Sequence, residues 1–194
     1  MIILASTSPT RQTILTNAGL SFTAAAPGVD EGDLVARNPS WSPQEVALKL
    51  AEAKAADVSR RYPDALVIGA DQVLALGNRI YAKPATPQQC RQHLLELRGR
   101  THMLISSVVC ARSGETQWFQ TAEASLVMRQ FSDEFLEQYL GKVGMDCMSS
   151  VGGYKIEGLG LQLFEKVEGD HFTILGLPLL PLLSYLRSTG KIMS

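Results

Sequence analysis

An acid inside an apolar run is the first residue in this chain that could do chemistry. In VIGADQV, Asp71 interrupts a stretch of β-branched and aliphatic residues. Burying a bare carboxylate is very costly, so Asp71 must reach solvent or hold a cation or a metal. Gly69, two residues upstream, lets another backbone or a ligand come close. VDEGD gathers Asp30, Glu31 and Asp33 around a glycine, and taken alone its plainer reading is a solvated turn. Arg11, Lys54 and Lys83 are cations that could meet these acids. They too have plainer readings: Lys54 flanks the apolar stripe of its helix as a snorkelling surface lysine would, and Lys83 before Pro84 is a common loop charge. Taken together the types agree. Hard carboxylates at Glu31 and Asp71 suit Mg²⁺ or Mn²⁺, and cations beside a helix N-terminus suit phosphate oxygens. A carboxylate-held metal with cations around a polyphosphate is the constellation for attack on phosphorus.

The helix N-terminus is supplied by MIILASTSPTRQTIL. Met1 to Ala5 reads as a buried strand, Ser8 as an N-cap and Pro9 as the first helical residue. Ile14, Leu15 and Ala18 form one apolar face, and Gly19 supplies the stop. Free backbone N–H groups and the positive helix end then lie beside three hydroxyls and Arg11, a candidate anion site whose bland alternative is an ordinary capped helix. No GxxxxGK[ST] loop accompanies it. LRGRTH, with Arg98, Arg100 and His102, reads as a basic loop. His93 and His171 have no HxxxH, HExxH or Cys/His spacing for zinc, and no GxSxG is present.

The elements that must position these residues alternate along the chain. SPQEVALKLAEAKAADVSRRY is a helix opened by a capping box, Ser42 with Glu45, with Val46, Leu50 and Ala53 on one face. ALVIGADQVLAL is a strand that turns through LGNRIY into a short returning strand. TPQQCRQHLLELRG is a second capped helix closed by Gly99. THMLISSVVCAR, the turn SGET and WFQTAEASLVMR form a long antiparallel hairpin. Ser132 opens a helix through Tyr139 that is expected to stop at Gly141, YKIEG and LQLFEKV read as strand-like, and a last helix is expected over Pro181 to Ser188, ended by Gly190. Helices mixed with strands and a hairpin predict an α/β protein with a mixed sheet, with a cleft between two lobes as a further expectation.

Composition narrows the classes. A chain of 194 residues, 45% hydrophobic and 19% charged, has the make-up of a globular protein. A net charge of −1 argues against a general nucleic-acid or membrane binder. Cys90, Cys110 and Cys147 are far apart with no CxxC, as expected of reduced thiols in the cytoplasm. Met1 to Ala5 lacks the basic start and length of a signal segment, and ILGLPLLPLLSYL is too short and proline-broken to span a bilayer.

LASTSPTRQTIL, VDE, LAEAKA, GADQV, KP, LRGRTH, GGYKIEGLG and GLPL occur in the order and spacing of the Maf family of nucleoside triphosphate pyrophosphatases. The resemblance runs from about residue 3 to about residue 187, and it implies that 1–194 is a single Maf-like domain of two lobes sharing a twisted mixed sheet with flanking helices. It implies a fold similar to inosine triphosphate pyrophosphatases, a divalent metal, a cytoplasmic and often dimeric protein, and cleavage between the α and β phosphorus of noncognate or modified nucleotides. By resemblance, Ser6, Ser8 and Arg11 match a phosphate-binding loop, Glu31 a loop carboxylate, Lys54 and Lys83 two basic residues, and Asp71 a proton acceptor. Glu31 and Asp71 are then the implied metal ligands. Thr10, Gln72 and Glu157 fall at positions associated with substrate choice. The pair Gln72 and Glu157 resembles the group acting on 7-methyl-GTP, whereas dTTP/UTP enzymes tend to show Thr and Gln there. The chain departs from the pattern at Thr10, where many members carry Arg and the 7-methyl-GTP group an aromatic, and at Ser149–Ser150, where many carry Asp-Lys. A second reading from another class, a nucleotide-binding regulator of septum formation, is disfavoured by the retained Asp71, Glu31, Lys54 and Lys83. General phosphohydrolysis would instead release orthophosphate.

Overall fold

The computed structural model describes residues 1–193. In chain order it contains β1 (Ile2–Ala5), α1 (Pro9–Asn17), β2 (Thr23–Ala24), α2 (Glu31–Ala36), α3 (Pro43–Arg61), β3 (Leu66–Leu76), β4 (Arg79–Tyr81) and α4 (Pro87–Leu97). Then follow β5 (Thr101–Arg112), β6 (Glu115–Met128), α5 (Asp133–Val143), β7 (Phe164–Glu168), α6 (His171–Ile174) and α7 (Leu179–Ser188). Short 3-10 turns cover Gly144–Met148, Val151–Gly153 and Leu159–Leu163. The strands form a seven-stranded sheet in the order β2-β1-β3-β5-β6-β7, with β4 pairing β3. β1 runs parallel to β2 and β3, while β3–β4 and β6–β7 are antiparallel, so the sheet is mixed as expected.

Two compact units divide the chain, with the divisions falling inside β3, β5 and β6. The first comprises Met1–Gln72, Ile105–Glu123 and the segment from Asp170. Its packing follows from the period of two along a strand. Ile2 and Leu4 of β1, with Leu66, Ile68 and Ala70 of β3, face Ile14 and Leu15 of α1 and Leu182 and Leu186 of α7. The alternate residues Ile3, Ala5 and Val67 pack with Val58 of α3. Parallel strands covered on both faces are continuous apolar runs, and β1 is buried at all four positions. Helix α3 starts at the expected capping box: Ser42 Oγ accepts from Glu45 N at 3.2 Å, and Glu45 Oε2 accepts from Ser42 N at 2.8 Å.

The second unit comprises Val73–Leu104 and Ala124–Gly169. Helix α4, capped by Thr86, buries Cys90, His93, Leu94 and Leu97 and packs on the 3-10 turns. Gly153 adopts φ 80°, and a Cβ there would lie 2.5 Å from Cys90 Sγ, so this close approach requires glycine.

Five expectations about elements need correction. VDEGD is not a loop: Asp30 accepts from Asp33 N and starts the short helix α2. Lys54 does not flank the stripe of α3 but lies in it, buried with Val46, Leu50, Ala51, Ala55 and Val58. Helix α5 passes through Gly141 and ends at Gly144, whose φ of 57° reverses the chain. YKIEG is not a strand, because the chain turns at Ile156–Gly158, where Gly158 N bonds Lys155 O at 3.3 Å, and in LQLFEKV the strand begins only at Phe164, after a 3-10 turn. Helix α7 begins at Leu179 with Pro181 inside its first turn, where the missing N–H costs nothing.

Candidate active site

Asp71 and Lys54 meet because Gly69 has no side chain. A Cβ at Gly69 would lie 2.5 Å from Ala51 O and 2.8 Å from Ala55 N, both backbone atoms of α3. The helix therefore rides directly on β3, and the next residue on that face of the strand, Asp71, comes level with Lys54. Lys54 Nζ lies 2.6 Å from Asp71 Oδ1 and 2.7 Å from Glu31 Oε1. Lys54 and Asp71 are both buried, whereas Glu31 is half-exposed. Burial pushes the Asp71 carboxyl above its ordinary range, opposed by the charges of Lys54 and Arg11 and assisted by that of Glu31. The result is a desolvated carboxylate held by one ammonium, with a second acid on the same cation.

A second arm of the unit carries the phosphate-type donors. Ser8 caps α1, its Oγ accepting from Arg11 N at 3.4 Å, and Ser8 N donates to Ser6 Oγ at 3.2 Å. Arg11 Nε donates to Gly176 O at 2.9 Å and Nη1 to Ser6 Oγ at 3.4 Å. Burial lowers the Arg11 pKa, while Asp71 and then Glu31 pull it back up, so the three groups share one electrostatic neighbourhood. An arginine stays charged in a protein. With Pro9 lacking an N–H and Arg11 N taken by Ser8 Oγ, Thr10 N is the first-turn amide that joins the guanidinium and two serine hydroxyls as a donor for phosphate oxygens.

Gln72 follows Asp71 along β3 and so projects to the opposite face. Its Nε2 donates to Ser106 Oγ (3.0 Å), Thr173 O (3.1 Å) and Ile174 O (2.9 Å). The amide donor is thus engaged by this chain's own groups. Thr10 is half-buried in the first turn of α1. Seven of the expected residues, Ser6, Ser8, Thr10, Arg11, Glu31, Lys54 and Asp71, therefore fall in the first unit together with Gln72. Lys83 and Glu157 belong to the second unit. Lys83 is exposed between β4 and α4. Glu157 lines a cavity of about 250 Å³ with Tyr139, Lys142, Asp146, Tyr154 and Lys155. There Lys155 Nζ pairs with Asp146 Oδ1 at 2.6 Å.

Sequence reasoning missed Ser106 and the Gly176 carbonyl. The available signal was LISSVVC, where two hydroxyls interrupt a strand as Asp71 does; Ser106 and Ser107 are both fully buried. Among the described residues, no group of three or more His, Cys, Asp or Glu side chains could hold a metal ion. Glu31 and Asp71, both on the Lys54 ammonium, are the carboxylates of this site that could serve a divalent cation such as Mg²⁺, which commonly takes one or two protein carboxylates.

Comparison with known proteins identifies the family. The family model described as Maf-like protein matches residues 1–189. A protein of Rhizobium meliloti named 7-methyl-GTP pyrophosphatase is 50% identical over 194 residues, covering 99% of this chain and 98% of its own. One of the same name from Mesorhizobium japonicum is 51% identical, covering 98% and 97%. A nucleoside triphosphate pyrophosphatase of Rhodospirillum rubrum is 49% identical, covering 100% and 96%. With the match running over nearly the whole sequence, the chain belongs to the Maf family.

Proposed function

We propose that this chain is a nucleoside triphosphate pyrophosphatase. Water attacks the α-phosphorus, the bond from that phosphorus to the bridging oxygen breaks, and pyrophosphate leaves with the electron pair, giving a nucleoside monophosphate. The observation that carries this reading is the buried Asp71 carboxylate held by Lys54 at 2.6 Å, next to the Ser6–Arg11 loop. Asp71 accepts the proton of the attacking water. Arg11 and the Thr10 amide offset negative charge on the triphosphate and on the leaving group, and the family pattern adds Lys83. Lys54 opposes the effect of burial on Asp71 and so favours its ionised form, and is a further candidate for a phosphate contact. Glu31 and Asp71 would hold a Mg²⁺ or Mn²⁺ ion, which supplies charge neutralisation and a more acidic water.

The relatives named for 7-methyl-GTP support a guanine-type substrate. A Glu157 carboxylate offers only acceptors, matching the N1–H and exocyclic amine of guanine, whereas Gln would offer the donor and acceptor that uracil or thymine needs. The Nε2 donor of Gln72 is engaged elsewhere, so donation to the base rests on other groups and the acceptors argued for guanine are those of Glu157. The test is a nucleotide panel with and without Mg²⁺ or Mn²⁺, with the products identified. Monophosphate and pyrophosphate are expected, with guanine nucleotides preferred and Glu157→Gln shifting activity toward pyrimidines. Release of orthophosphate would overturn the reaction. A wild-type preference for UTP and dTTP that Glu157→Gln leaves unchanged would overturn the base assignment.

A further inference from the structure

We propose that Ser106 and Gln72 are positioning residues for Arg11, acting through the turn that follows Asp170. The inference rests on the reading of Arg11 as a phosphate-binding residue. Asp170 caps that turn, its Oδ2 accepting from Thr173 N at 2.7 Å and from Thr173 Oγ1 at 3.0 Å. Gly176 N closes it on Thr173 O at 3.1 Å, and Leu177 N on Phe172 O at 3.0 Å. Beyond these local bonds the turn is pinned to the sheet by two side chains. Ser106 Oγ donates to Thr173 O at 2.8 Å and accepts from Gln72 Nε2, which also donates to the carbonyls of Thr173 and Ile174. Ser106 is fully buried, so its hydroxyl has no water to fall back on.

The pinned turn ends at Gly176, whose φ of 95° is one that side-chain-bearing residues rarely adopt. A Cβ there would lie 3.5 Å from Gln72 Oε1 and 3.6 Å from Arg11 Nη2, so this residue sits between the two. Its carbonyl takes the Arg11 Nε hydrogen at 2.9 Å. A guanidinium is planar, so fixing Nε fixes the plane in which the Nη hydrogens are presented. Among the described residues, two of the five donors are engaged, by Gly176 O and Ser6 Oγ, and the others are left in a set fork for phosphate oxygens. The chain of contacts thus runs from two sheet residues, through two carbonyls and one glycine, to the orientation of one arginine.

Two measurements test this. Exchange of the Arg11 Nε hydrogen, followed by ¹⁵N NMR on the free protein, reads the orientation without any catalysis. Ser106→Ala is expected to speed it about tenfold, the equivalent of one weakened hydrogen bond, and Ser106→Thr to restore it. In kinetics, Ser106→Ala is expected to raise KM about tenfold for every nucleotide with a smaller change in kcat. That rise should vanish in an Arg11→Ala background, since the group being oriented is gone. Gln72→Met, which keeps the length but removes the donors, should behave alike; a loss confined to one base would overturn its positioning role. Unchanged Nε exchange, or the same KM penalty with and without Arg11, would overturn the proposal. If instead exchange quickens as expected while Arg11→Ala keeps wild-type KM, the positioning stands and the phosphate reading of Arg11 falls.

Discussion

At the scale of single residues the structure turns on one ammonium between two acids. Removing one partner of a buried pair leaves the other charge uncompensated, which is far worse than replacing both. Lys54→Met therefore strands Asp71 in a desolvated site. Lys54 is the largest influence lowering the Asp71 pKa against burial, so its loss must raise that pKa further. A proton acceptor works only when ionised, and activity is lost as pH falls through its pKa. The acid limb of kcat/KM against pH is thus expected to move upward in Lys54→Met, with turnover at neutral pH lowered. Asp71→Asn, which cannot take the proton, should lose about 10²- to 10⁴-fold in kcat at every pH. An acid limb that stays in place or moves down in Lys54→Met would contradict the role given to Asp71.

At the scale of elements, the site depends on how closely α3 approaches β3. The contact leaves no room at Gly69 for even a methyl group, and the atoms it would strike are backbone, which cannot rotate away. Gly69→Ala must push helix and strand apart or distort one of them. Overpacking of this kind costs roughly 1–3 kcal/mol, occasionally more, and the same displacement pulls Lys54 from Asp71. Urea denaturation is expected to show that loss of stability, and activity should fall further than stability alone explains. A variant within about 0.5 kcal/mol of wild type, the range of neutral surface changes, would show that the approach is not tight. The strand's alternation has a second consequence. Asp71 is sent toward α3 and Gln72 toward the α6 turn, so adjacent residues serve opposite faces.

For the molecule as a whole, His102 links stability to pH. Its ring is buried, Nε2 lies 2.6 Å from Tyr154 Oη, and Nδ1 has no partner among the described residues. Burial pushes its pKa down from an ordinary 6.5 to about 4. Tyr154 is raised well above its usual range and stays neutral at these pH values. Between the two His102 values the unfolded chain binds the proton that the folded one refuses, so stability falls as pH drops from 6.5 toward 4. The shift corresponds to roughly 3 to 4 kcal/mol at about 1.4 kcal/mol per unit. Asp71 has the opposite sign, since burial raises its pKa and its contribution is lost as pH rises. The difference between wild type and His102→Gln, which can still bond Tyr154, isolates the histidine. Urea titrations at several pH values should give a smaller loss on acidification in the variant, and equal losses would sink this assignment.

Much of the fold was legible because its signals are local. The caps at Ser8, Ser42 and Thr86, the turns at Gly77 and Ser113–Gly114, and the apolar runs of β1 and β3 each specify their element within a few residues. Local signals also misled where two conformations share a pattern. Tyr154 and Ile156 alternate like a strand, but the chain turns at Ile156–Gly158, and Gly141 is tolerated inside a helix whose reversal comes at Gly144. The residue types of the site were legible too: an acid in an apolar strand must find a partner. Which partner it finds was not. Lys54 lies 17 residues from Asp71, and Gly176 lies 165 from Arg11. A lysine on a helix stripe looks the same whether its head reaches water or a buried carboxylate. Only the packing of α3 on Gly69 decides between them, because that close approach removes the water a surface lysine would have kept.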